Sequence, residues 1–355
     1  MTTEFAAETD TVISIEAPED LFALMQAKFA EHDIAFQPEG ASQVVQLDEF
    51  GMRIEVELLE ASLAVRLAAR EAGHLFFMKE ELIEIVEKID PKMARDIRWS
   101  DADAQLDRPP NFDVFHVLAV TDVMDGLRRI SLRAEHAERF TTGGMHFRAI
   151  VPKTAGRPPV WPSVGSNGVT LWPEGKDELH ARTLTVRQVR VEEGQLDVDI
   201  ALHAGGLISD WALAAVAGTE IGVMGPGGET GLPVHTGLMI AGDKTALPSI
   251  ARLLELLPAE AEGDVIICAE SLATATAYLP PTGLDLQFIP EAHFRGGIQT
   301  AVKEIAGRKP IKHLWFGGEF DDAQALRKFG KSQLGLGKGQ NSCVAYWREG
   351  HAGER

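Results

Sequence analysis

At 355 residues, 45% of them hydrophobic and 25% charged, the chain is long enough for two or three folded domains and too apolar for a disordered polymer. Its net charge of −19 at pH 7 argues against a nucleic-acid partner and against an anionic membrane surface. Two distant cysteines, Cys268 and Cys343, make neither a disulfide framework nor a metal-binding pair, and they suit a reducing compartment. The opening Met1-Thr2-Thr3-Glu4-Phe5 lacks the basic and apolar regions of a signal peptide. No apolar run approaches the roughly 20 residues of a membrane span, so the expected location is the cytoplasm.

The first hundred residues read as a small α+β domain. Leu21, Phe22, Leu24, Met25, Phe29 and Ala30 recur at spacings near three and four, which predicts a helix over 18–32. Alternation predicts strands at Ser42–Leu47 and Met52–Leu59. A second helix is predicted over Lys79–Ile89, ended by Asp90-Pro91. Up to residue 105 this section holds 9 Lys and Arg against 23 Asp and Glu, and no catalytic cluster. A polar linker, Asp101–Pro110, ends in two prolines.

Residues 110–232 change to strand patterns: Phe115–Val120, Arg129–Leu132, Met145–Val151, Arg182–Val191, Leu196–His203 and Glu220–Val223. One short helix lies near Ser209–Val216. Their β-branched alternation and Gly/Pro punctuation predict an antiparallel barrel or sandwich. Residues 235–355 alternate strand and helix, which predicts βαβ units and a mostly parallel sheet. Cys268 falls in the strand Val265–Ala269 and reads as a buried structural thiol. The chain from Glu291 onward holds 11 Lys and Arg against 7 Asp and Glu, which makes it the part best suited to an anionic ligand. The 11 histidines are scattered, with no H-E-x-x-H and no Ser-His-Asp arrangement, so no catalytic side chain and no metal site is assigned.

Several local patterns carry more. Arg182-Thr183-Leu184-Thr185-Val186-Arg187 lies on a barrel strand. Asp199 to His203 leads into Gly205-Gly206-Leu207-Ile208-Ser209-Asp210-Trp211-Ala212, a glycine turn entering a helix, where free N–H groups can receive an anion and Ser209 can cap. Gly222 to Gly228 is a common turn, not a G-x-G-x-x-G. Ala241-Gly242-Asp243-Lys244-Thr245-Ala246-Leu247-Pro248-Ser249-Ile250 follows a strand and opens a helix, the context of a nucleotide-binding turn. Leu314-Trp315-Phe316-Gly317-Gly318-Glu319, Ala325-Leu326-Arg327 and Tyr346-Trp347-Arg348 complete the series.

In this order the patterns resemble the siderophore-interacting family of FAD-binding ferric-siderophore reductases. Its motifs read R-x-Y-T-V/I-R, D-x-x-x-H-G-x-x-G-P-A-S-x-W-A, A-G-D-E-T-A-L-P-A-I, W-x-A-G-E and G-Y-W-R-x-G. The chain departs from them at Leu184 in place of Tyr, Ala204, Leu207-Ile208, Lys244, Ser249 and Gly317. The resemblance covers about Phe115 to Gly350. The first hundred residues resemble a small uncharacterised domain found fused to, or beside, such reductases.

The resemblance implies a small N-terminal α+β domain, an FAD-binding β-barrel and an α/β domain for NADH or NADPH. Hydride would pass to FAD, and electrons singly to ferric iron held by a siderophore, the small-molecule partner. The cofactor residues it implies are Arg182, Leu184, Thr185, Asp199, His203, Gly206, Ser209, Trp211, Gly242, Asp243, Thr245, Gly318, Glu319 and Trp347. An anionic ferric complex wants a positive rim, for which the candidates are Lys309, Lys312, Lys331, Lys338 and Arg348. Glu270, after the second α/β strand, leans toward NADH. Two alternatives stay open: a general flavin or ferredoxin-type oxidoreductase, and a flavin-free siderophore-binding protein, which Leu184 keeps in view.

Overall fold

The computed structural model describes residues 5–30, 34–48, 51–101, 107–154, 156–269, 272–290, 294–337 and 339–351. The chain forms two compact units: Met1–Phe112 with Gly156–Glu178, and Asp113–Ala155 with Leu179–Arg355.

In the first unit, β1 (Ala7–Ser14), β2 (Gln37–Glu39), β3 (Ser42–Leu47), β4 (Met52–Leu59) and β5 (Ser62–Ala69) form an antiparallel sheet in the order β1-β5-β4-β3-β2. Helices α1 (Pro18–Ala30), α2 (Ala72–Glu87) and α3 (Pro91–Asp96) complete it. Strands β3 and β4 have the bounds that alternation predicts. Helix α2 begins seven residues before the predicted Lys79, because Gly73 and the pair Phe76-Phe77 blur its period. Its buried positions Leu75, Met78, Leu82, Ile83 and Val86 meet Leu21, Phe22 and Met25 of α1 in one apolar core. Asp90, predicted to end a helix, also caps the next one by accepting from Lys92 N at 2.7 Å. Strand β1 escapes sequence reading because its inward positions include Thr9 and Thr11, which hydrogen-bond Asp101 and the Arg98 carbonyl. The excursion 156–178, with the short pair β9 (Ser163–Val164) and β10 (Thr170–Leu171), joins this unit. There Trp99 Nε1 donates to the Asn167 carbonyl at 2.8 Å.

The second unit opens with a closed antiparallel barrel. Its strands are β6 (Phe112–Met124), β7 (Leu127–Arg133), β8 (His146–Pro152), β11 (Leu179–Arg190), β12 (Gln195–Ala201) and β13 (Glu220–Gly227), in the order β11-β12-β7-β6-β13-β8. Closure leaves no free edge. Inward residues such as Phe115, Ile130, Phe147, Val186, Val198 and Val223 fill it. Two short helices, α4 (Arg139–Thr142) and α5 (Leu207–Ala214), lie on it.

The chain then alternates through β14 (Thr236–Asp243), α6 (Leu247–Leu256), β15 (Glu262–Ala269), α7 (Leu272–Tyr278), β16 (Asp285–Pro290), α8 (Phe294–Ala306), β17 (His313–Glu319), α9 (Phe320–Ser332) and β18 (Asn341–Trp347). The sheet is wholly parallel, in the order β16-β15-β14-β17-β18. Being covered on both faces, its central strands run apolar throughout rather than alternating. Cys268 is fully buried among them, and Cys343 is buried in β18 with its thiol pushed up to about 12 by burial. No helix among the described residues is long and apolar enough to cross a membrane.

Candidate functional site

In a doubly wound sheet the strand order reverses at one point, and the crevice beyond the carboxyl ends there is where ligands bind. Here the reversal falls between β14 and β17, which pair in parallel up to Gly242↔Gly317. Two glycines let the turns approach: a Cβ on Gly242 would lie 2.7 Å from the Gly317 carbonyl oxygen, and one on Gly318 would lie 2.7 Å from Asp243 Oδ2.

Asp243 is the polar centre of this crevice. Its Oδ1 accepts from Thr245 N at 2.8 Å and from the Thr245 hydroxyl at 2.5 Å, and its Oδ2 accepts from Trp347 Nε1 at 2.8 Å. Burial raises its pKa above the ordinary carboxylate value, against the pull of those donors. Glu319 begins α9, accepting from Asp321 N at 2.5 Å and from the N–H groups of Asp322 and Glu349. Asp322 behind it is also raised, by burial and by the neighbouring Glu319 and Asp321 charges, while Gln299 donates to it at 2.6 Å. Gly242, Asp243, Thr245, Gly318, Glu319 and Trp347, far apart in the chain, are therefore one neighbourhood.

The barrel meets this edge through β11. Arg182 donates to the Tyr346 carbonyl at the end of β18. Its guanidinium is half-buried, and burial lowers its pKa. His180, two residues earlier and so on the same strand face, is depressed first by burial and then by the positive charges of Arg182 and Lys153. On the other face of β11 runs a chain of hydroxyls: Thr185 to Ser249 at 2.6 Å, and Ser249 to Tyr346 Oη at 2.9 Å. His146 stands edge-on to the Tyr346 ring, 6.3 Å between centroids, with Nδ1 3.4 Å from the Thr185 hydroxyl. Burial, helped by Arg252, holds His146 at about 4. Arg252 donates to the Val186 and Phe140 carbonyls at 2.6 and 2.7 Å, fastening α6 to the barrel.

Other expected residues are occupied differently. The Asp199 carboxylate is fully enclosed, holding Arg129 through two bonds of 2.7 and 2.8 Å and accepting from the Tyr278 hydroxyl at 2.5 Å. It joins β12 to α7. Ser209 does not cap α5: it is the third helical residue, 1% exposed, and its hydroxyl accepts from His203 N at 3.1 Å. The N-cap is Gly206, over which the His203 ring folds so closely that a Cβ would lie 2.4 Å from it. Leu184 and Trp211 pack partly buried against the barrel core, and Thr185 is 6% exposed.

The expected basic rim is divided between the two edges of the sheet. Lys309 pairs with Asp264 at 3.1 Å and Asp285 at 2.8 Å, and Lys312 reaches the Thr236 hydroxyl at 3.1 Å. All three partners lie within the first three residues of their strands, so both lysines sit at the amino edge, opposite the crevice. Lys331 is in the last turn of α9, which starts at the carboxyl edge and runs back to the amino one. Arg348, following β18 with its guanidinium 4.6 Å above the Phe320 ring, is at the carboxyl edge. Lys338 and Glu270 lie outside the described residues.

Sequence reasoning missed His146, Lys153, His180, Ser249 and Tyr278. His180 was signalled by its position two residues before Arg182, and Ser249 by its departure from the family pattern. Lys153, His146 and Tyr278 carry no local signal.

A half-buried arginine that donates to a carbonyl, beside a histidine lowered by burial and by the Arg182 and Lys153 charges, is a donor set suited to a diphosphate. These residues fit the phosphate portion of a flavin dinucleotide. Among the described residues no group of His, Cys, Asp and Glu is placed to hold a metal ion.

Comparison with known proteins agrees with this geometry. A family model described as a siderophore-interacting FAD-binding domain matches residues 116–230, and one described as siderophore-interacting protein matches residues 235–350. The ferric vibriobactin reductase ViuB of Vibrio cholerae is 26% identical over 237 residues, 64% of this chain and 86% of that protein. The NADPH-dependent ferric-chelate reductase of Escherichia coli is 31% identical over 145 residues, 40% of this chain and 55% of that protein. Among solved structures, the siderophore-interacting protein SipS of Aeromonas hydrophila superposes with a TM-score of 0.57 at 26% identity, covering 68% of this chain and 93% of that one.

Proposed function

Because the chain belongs, over residues 116–350, to the siderophore-interacting family, we propose that it is an FAD-dependent NAD(P)H:ferric-siderophore reductase that releases iron in the cytoplasm. The observation that carries the reading is the meeting of the barrel's Arg182 with the carboxyl end of β18, one strand from the switch point. A flavin held by the barrel needs a nicotinamide brought to it, and this is where the α/β sheet presents its ligand crevice.

The chemistry that bound FAD would supply is hydride acceptance from the nicotinamide and one-electron transfer to ferric iron. The chain's own residues position and insulate. Arg182 and Lys153 would neutralise the diphosphate, and the neutral imidazole of His180 would donate a hydrogen bond to it. The N–H groups at the start of α5 offer a second anion site. Gly242 and Gly318 let the two turns that bound the crevice close on each other, and Asp243 holds Trp347 and the Thr245 turn in place. The Thr185–Ser249–Tyr346 hydroxyls tie the barrel to the sheet, so flavin and nicotinamide meet on a rigid frame. Arg348 is the cation that would face an anionic ferric complex.

The reading is tested by acceptor competition. The full chain is loaded with FAD, driven by NADH or NADPH, and offered a ferric siderophore and free flavin together, with a ferrous chelator reporting iron. Preferential iron reduction supports it. Transfer to free flavin or to ferredoxin with no ferrous product assigns the chain to a general oxidoreductase instead.

A further inference from the structure

We propose that the first unit binds a small apolar molecule carrying no negative charge, about the size of one aromatic ring, in a cavity between α1, α2 and its sheet. The cavity measures about 150 Å³. Its floor includes Ile54 of β4 with Val65 and Leu67 of β5, and its walls include Met25 and Phe29 of α1 and Leu82 of α2. Protein interiors pack closely, with few voids larger than a water molecule. Water is a poor occupant here, because a buried water needs two to four polar partners and these walls are hydrocarbon and thioether. Apolar cavities of this volume take a single ring. The lining methionines can adjust to its shape.

Among the described residues, the polar side chains of the lining are Lys28 and Glu81, and they mark the way in. Lys28 Nζ stands 3.6 Å from Glu81 and 3.8 Å from Glu84, with Lys28 and Glu81 side chains 29% and 33% exposed. Pairs this long and this wet part easily. Phe77 beside them is 49% exposed. The charge decides the ligand class. One lysine faces two glutamates at the mouth, and residues 1–105 hold 9 basic side chains against 23 acidic ones. An organic anion is repelled, whereas a neutral or cationic ring is not.

The test uses the full chain labelled at its methionine methyls, since Met25, Met52 and Met78 line the cavity and report on it directly. Toluene, benzylamine and benzoate are titrated in turn. The expected result is saturable shifts of those methyls with toluene and benzylamine, at least ~10-fold weaker binding of benzoate, and loss of binding in Val65→Phe, which fills the space. Should Val65→Phe not fold, the comparison of the three probes on the unaltered protein stands by itself. The proposal is overturned by the absence of saturable shifts with toluene and benzylamine. It is equally overturned if benzoate binds as well as they do, or if a folded Val65→Phe binds unchanged.

Discussion

The two edges of the parallel sheet make opposite use of charge. The amino edge has lysines, and strand-opening acids consume them: Lys309 lies between Asp264 and Asp285. The carboxyl edge gathers glycine turns, a buried acid and indole and phenol donors, with the barrel's Arg182 reaching in. A count of basic residues along the chain points to the first edge, and topology points to the second. The difference teaches that ligand placement in this fold follows backbone N–H groups and close approach at the switch point, while surplus charge serves the ends of strands.

Substitutions that tell the edges apart sharpen this contrast. The largest effect is expected from Gly242→Val, whose side chain would meet the Gly317 carbonyl across the crevice. It should cost roughly 2–4 kcal/mol of stability in urea denaturation, and any folded protein should have lost nicotinamide-driven reduction. Next is Arg182→Ala. Losing a charge-assisted bond costs about 1.5–3 kcal/mol, so FAD should bind roughly 10- to 100-fold more weakly to apoprotein in a fluorescence titration, with Arg182→Lys in between.

A third effect depends on pH. His146 titrates at about 4 in the fold, against 6.5 for a free histidine. Above pH 6.5 both states are neutral there and the residue contributes nothing to the slope. Between that value and 4 the unfolded chain alone takes up the proton, so stability falls as pH falls, by on the order of 1–3 kcal/mol. His146→Gln should flatten that acid limb in denaturation midpoints measured across pH. The smallest effect is at the amino edge: Lys309→Ala and Lys312→Ala should leave KM for the ferric complex unchanged, whereas Arg348→Ala raises it. If Lys309→Ala raised KM as much as Arg348→Ala, the contrast between the edges would fail.

Most of the architecture was legible because the sequence changes period at each boundary. Barrel strands alternate, the sheet strands are continuous apolar runs, and Leu247, Ile250, Ala251 and Leu254 repeat at helical spacing. Strand β1 was hidden because threonines occupy its inward positions. The crevice was legible where contiguous residues make it, as in Gly242-Asp243 and Gly318-Glu319. It was not legible where distant strands meet. Nothing near Asp199 announces that Arg129 and Tyr278 will enclose it, or that Ser249 will bridge Thr185 to Tyr346. The edge on which each lysine sits was not legible, because a cation's partners at strand ends are set by topology, which local pattern does not contain.

The most direct measurement is an anaerobic absorbance cycle on the purified full chain supplied with FAD. The account predicts flavin bands at ~450 nm, bleached by NADH or NADPH and restored by a ferric siderophore with ferrous iron appearing in step. A chain that stays colourless after FAD is supplied, or bound flavin that nicotinamide does not bleach, would contradict it.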